Sequence, residues 1–78
     1  MARGQLVTER NTDRVQRLVE RAAEAYFEPP FETPRPVFEH GHWWVLVWDR
    51  EEDRDVTFDV VDAEPGIADT GLDFERVD

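Results

Sequence analysis

His42-Trp43-Trp44-Val45-Leu46-Val47-Trp48-Asp49 is apolar from Trp43 to Trp48 without a break. Most of these residues favour extended backbone, and a run this short bounded by a charged residue predicts a strand over His42 to Asp49. Successive side chains of a strand point to opposite faces, so Trp44, Leu46 and Trp48 share one side and Trp43, Val45 and Val47 the other. Both sides carry residues that avoid water.

The next stretch reads differently. Over Arg54 to Asp62, Val56, Phe58 and Val60 alternate with Asp55, Thr57 and Asp59, the period-two pattern of a strand with one dry and one wet face. The two strands are expected to pair as a hairpin. Their connection, Arg50 to Asp53, is highly charged and has no glycine; it predicts a solvated loop longer than a two-residue turn. Ala63-Glu64-Pro65-Gly66 signals a further turn, and Gly71 precedes a last short strand, Leu72 to Val77, with Leu72 and Phe74 on one face.

Upstream, Val15, Leu18, Val19, Ala22, Ala23 and Tyr26 recur at three- and four-residue steps, which places them on one face of a helix running from about Asn11 to Phe27. Asn11, Thr12 and Asp13 offer capping oxygens, and Asp13 with Gln16 resembles a capping box. Pro29 and Pro30 stop the helix by Glu28. The prolines between Glu28 and Pro36 predict a stiff, extended connection with Phe27 and Phe31 tucked beneath it. A short strand, Pro36 to Glu39, follows. The expected fold is α+β: one N-terminal helix packed on a three- to four-stranded antiparallel meander sheet, with a small barrel as the alternative. Residues 1–10 show no sustained period and are expected to be a flexible arm, leaving 11–78 as one small domain.

The chain has 78 residues, with 19 Asp and Glu against 9 basic residues and a formal net charge of -10. Every basic residue is Arg. That charge repels phosphate and anionic lipid, which removes the usual driving force for nucleic-acid or membrane-surface binding and favours basic partners. It also suits a salty cytoplasm, where screening relieves self-repulsion. A mean hydropathy of -0.67 approaches that of disordered chains, but the apolar residues are grouped into periodic segments, and that grouping argues for a fold. No segment has the apolar length of a membrane span, and Met1 to Arg10 lacks the apolar run of a secretion signal. A soluble cytoplasmic protein is expected.

Catalytic options are few. With no cysteine, serine or lysine, the chain lacks the commonest nucleophiles, and it contains no phosphate-binding glycine loop, nucleophile elbow or dinucleotide fingerprint. No activity and no cofactor is expected, and no motif carries a match to a known family. His40 and His42 make a pair separated by Gly41, but a zinc site needs further ligands in a held geometry. The acidic stretch Asp49, Glu51, Glu52, Asp53 and Asp55 lacks the turn glycine and closing glutamate of a calcium loop. The candidate binding residues are therefore Trp43, Val45, Val47, Trp44 and Trp48, since one helix covers only one face of a small sheet. Either the connection, through Phe27, Phe31 and Phe38, covers the second face, or that face binds another molecule, a protein partner or a second copy of the chain. The alternative is an acidic regulator or inhibitor held on a basic protein by charge, and a lesser one a metal-dependent protein using His40 and His42.

Overall fold

The computed structural model describes residues 12–78; the expected arm at 1–10 lies outside them. The helix, α1, spans Thr12–Tyr26. Its spacing does what the sequence requires: Val15, Val19, Ala22 and Ala23 are buried, Leu18 is half-buried, and the charged residues between them face water. Asp13 falls inside the first turn of the helix, and the Gln16 amide donates forward to Glu20 at 3.1 Å. The expected capping box is therefore not formed from this pair. At the other end the Phe27 amide still donates to the Ala23 carbonyl before the prolines end the spiral.

The strands β1 (Phe31–Glu39), β2 (His42–Asp49), β3 (Arg54–Asp62) and β4 (Leu72–Arg76) form one antiparallel sheet in chain order. A 3-10 turn, Ile67–Asp69, lies between β3 and β4. The meander predicted from sequence is present. The proline-rich segment corrects one expectation, because extended pairing begins at Phe31 instead of Pro36 and most of the supposed connection is an edge strand. Proline is compatible with that place, since an edge strand has one side with no ladder partner and needs no amide there. The pairing with β2 slips between Glu32 and Arg35, where Thr33 takes a positive φ of 55°, an irregularity that admits Pro34.

The connections show how turns close with little glycine. Between β1 and β2, His40 (φ 55°) and Gly41 (φ 72°) both adopt left-handed backbone and join Glu39 directly to His42, the geometry of a tight hairpin turn. Between β2 and β3, the Asp53 amide donates to the Asp49 carbonyl at 2.8 Å, and the buried Asp49 carboxylate accepts from the Glu51 and Glu52 amides. Asp53 takes the left-handed backbone (φ 58°) that a glycine would otherwise supply, and the Asp49 acceptors hold the loop backbone before it. Gly66 has a different reason to be glycine: a Cβ there would lie 2.4 Å from the Leu72 nitrogen, inside any permissible contact. Beside it, buried Thr70 donates to the Ile67 carbonyl and accepts from the Leu72 amide, fixing the entry to β4.

The core lies between α1 and one face of the sheet. Trp43, Val45 and Val47 of β2, Val56, Phe58 and Val60 of β3, and Leu72 and Phe74 of β4 meet Val15, Val19, Ala22 and Ala23 of the helix. At one end of this layer the rings of Tyr26, Phe27, Phe31, Phe58 and Phe74 pack with centroids 5.0 to 6.4 Å apart, mostly edge to face. At the other end Phe38 packs on Trp43 with centroids 5.2 Å apart. Arg54, Glu52, Arg76 and Asp78 form an exposed ionic cluster that ties the last residues to the β2–β3 loop. The Glu52 hydrogen bond holds the Arg54 guanidinium above its ordinary pKa.

Candidate functional site

Strand register settles which side chains share the face that α1 does not cover, a face left open among the described residues. Trp48, Leu46 and Trp44 of β2 stand opposite Glu32, Arg35 and Val37 of β1 and opposite Asp55, Thr57 and Asp59 of β3. Directly opposed residues of antiparallel strands point to the same side. The row extends to β4, where Glu75 opposes Asp59 and Asp73 opposes Val61. The result is an apolar stripe, Trp44-Leu46-Trp48, running down the middle of the sheet, flanked by Asp55 and Asp59 on the β3 side and by Glu32, Arg35 and Val37 on the β1 side.

The five sequence-predicted binding residues divide across the sheet. Trp43 is 2% exposed, and Val45 and Val47 are fully buried under the helix, so these three serve the core and present nothing to a partner. Trp44 and Trp48 lie on the open face, half-buried, together with Leu46. The phenylalanines that were candidates to cover this face do not do so. Phe27 and Phe31 pack against the buried core, and Phe38 pairs with Trp43 on the helix side. They cannot reach the second face because β1 joins the sheet as a strand instead of crossing over it.

What shields the stripe is polar and shallow. Arg35 of β1 reaches across β2 to Asp55 of β3, passing over the stripe between Leu46 and Trp48. The side chains of this pair are 50% and 41% exposed. An ion pair so open to water contributes at most about 1 kcal/mol, and a competing ligand displaces it easily. His42 pairs with Asp59 through Nε2, and its ring stands edge-on to Trp44 with centroids 4.9 Å apart. His40 is exposed in the β1–β2 turn. Among the described residues no three His, Cys, Asp or Glu side chains are grouped to hold a metal ion, and the engagements of His42 and Asp49 account for two of the side chains that suggested one. Nor is any described helix long and apolar enough to cross a membrane.

The residues sequence reasoning missed are Arg35, Asp55 and Asp59 as parts of the same face. A signal for them existed. If Asp49 and Arg54 close the loop as neighbours, Val47 meets Val56 and Val45 meets Phe58, and the alternation of β3 then assigns every residue of β2 to a side. Compared with protein-family models, curated proteins and solved structures, the chain matches none.

Proposed function

We propose that the protein is a noncatalytic interaction module that engages a protein partner through the open face of its sheet, with Trp44, Leu46 and Trp48 as the apolar anchors. One observation carries this reading: among the described residues the helix covers one face only, and the other presents two tryptophans and a leucine in line beneath a solvent-exposed ion pair. Tryptophan is enriched among the residues that dominate binding energy. Antiparallel sheets commonly leave one face to water, but such faces are normally polar along every strand. Here β2 is apolar on both.

The carboxylates choose the partner. Glu32, Glu39, Asp55 and Asp59 border the stripe, with Asp73 and Glu75 one strand farther out, against Arg35, His42 and Arg50, which pair with Asp55, Asp59 and Glu32. Two copies stacked on this face would bring those carboxylates together, which disfavours self-association at low salt. A basic segment with apolar side chains satisfies both parts of the surface, its cations meeting the acidic walls and the tryptophan faces. The two sequence-derived readings, a tryptophan-faced interface and an acidic surface for basic partners, thereby describe one surface.

The test uses tryptophan fluorescence during titration with an extended peptide alternating Arg and Val. Saturable quenching, weakened by molar salt, is expected in the parent protein, and the heat of peptide binding by titration calorimetry should be lost in a Trp44→Ala/Trp48→Ala double variant that remains folded by circular dichroism. Light scattering after size exclusion at both salt concentrations distinguishes a second copy as occupant. A dimer that persists in molar salt and disappears in the double variant would assign the face to self-association. Peptide binding unaffected by the double variant would remove the proposal.

A further inference from the structure

A second site lies on the other layer, at the C-terminal end of α1. Tyr26, Phe27, Phe31 and Phe58 line a cleft of about 370 Å³ whose rim is formed by Pro29, Pro30 and the carboxylate-bearing Glu28. That volume falls in the range of small-molecule sites, which start at about 300 Å³. Phe58 is buried and forms the floor, Phe27 and Phe31 are half-buried, and Tyr26 is 43% exposed, so one ring of the cluster offers much of its surface to an incoming group.

Of the residues lining this cleft, Glu28 alone is charged, and Arg76, which stands opposite Phe58 in the strand register, is paired with Glu52 and Asp78. The aligned peptide dipoles of a helix leave roughly half a negative charge at its C-terminus, normally offset by a basic side chain. The last turn of α1 has no basic residue and contains Glu24. Glu28 adds a second carboxylate two residues past the helix end. The arginine bound to the same segment is turned away: Arg50 donates its backbone amide to the Pro30 carbonyl, while its guanidinium is held by Glu32 at 2.8 Å. Aromatic rings contribute the same polarity, because their faces are negative and attract a cation within about 6 Å of the centroid.

We propose that this cleft binds a small organic cation, an alkylated ammonium head group of the choline class. A neutral apolar ligand would be served by the rings but not by Glu28 or the helix end, and an anion is repelled by both. A bare metal ion is poorly served by phenylalanine. An alkylated ammonium uses every feature of the cleft, presenting methyl groups to the rings while its diffuse charge faces the carboxylate. This site is separate from the open sheet face and does not depend on it.

Tyr26 is the single tyrosine of the chain, so its ring resonances in a carbon-proton spectrum report the cleft directly. The titration compares choline chloride with 3,3-dimethylbutan-1-ol, the neutral compound of the same shape, with sodium chloride holding ionic strength constant. Saturable shifts of the Tyr26 ring are expected with choline, and binding of the neutral compound at least roughly threefold weaker. Glu28→Gln, at an exposed position outside the helix, should weaken choline by a similar factor and leave the alcohol unchanged. Equal affinity for the two compounds in the parent protein, or absence of a saturable Tyr26 shift with choline, would overturn the proposal. Unaltered choline affinity in Glu28→Gln would do the same, provided the strand amide resonances show the variant folded.

Discussion

On the helix side of β2, Trp43, Val45 and Val47 are removed from water beneath Val15, Val19 and Ala22; on the other side Trp44, Leu46 and Trp48, no less apolar, stay only partly buried beneath Arg35 and Asp55. The two triplets interleave in one strand and have similar composition, so side-chain chemistry does not separate them. Neighbours separate them. The odd-numbered residues face the apolar positions of β3, the even-numbered ones its Asp and Thr positions. Hydrophobicity alone therefore marks a residue as able to be buried, and the partner strand determines whether folding or binding does it.

Substitution along β2 should separate its two sides. The largest effect is expected for Trp43→Ala, which empties a fully enclosed site and should cost about 3–5 kcal/mol by urea denaturation, enough to unfold much of a domain this small. Trp43→Phe sharpens the point. The indole Nε1–H of Trp43 is buried with no acceptor among the described residues, so the phenyl ring loses some volume but also removes an unsatisfied donor, and the loss should stay below roughly 2 kcal/mol. Equal damage from the two variants would mean that the indole amine matters to the fold.

Asp49→Ala comes next. This carboxylate sits on the buried side, yet serves the backbone of the β2–β3 loop through two amides. Its loss should cost roughly 1–2 kcal/mol, with Asp49→Asn recovering much of it because an amide oxygen can still accept. Stability identical to the parent in the alanine variant would show that water satisfies the loop equally well. The smallest effects belong to the open face: Asp55→Asn, Asp59→Asn and Glu75→Gln should each lie within about 0.5 kcal/mol of the parent. The first two should nevertheless weaken the basic peptide at low salt, and an unchanged titration curve would detach the acidic walls from recognition.

Much of the architecture was legible in the sequence for identifiable reasons. The bounds of β2 and β3 were readable because each is a β-favouring run flanked by charges, and α1 because its apolar steps are three and four. β1 was harder, since Pro34 and Pro36 read as a connection until the strand is known to be an edge. The site was half legible. Trp44 and Trp48 could be nominated, but an unbroken apolar run has no phase of its own, so Trp43, Val45 and Val47 could not be separated from them without the register to β3. The aromatic cleft left no linear signature: Tyr26, Phe27 and Phe31 lie close in the chain, but Phe58 joins them only through the sheet.

The chain-order pairing of the sheet also bears on how quickly the structure can be reached. Each strand finds its partner across a short connection, so the entropy of loop closure is met in small instalments and contacts between strands are mostly local in sequence. Among the described residues, the docking of α1 on the sheet and beside the Ile67–Asp69 turn joins the most distant parts of the chain. Folding of this domain should therefore be fast for a protein rich in sheet, with the hairpin of β2 and β3 as the natural place for it to begin.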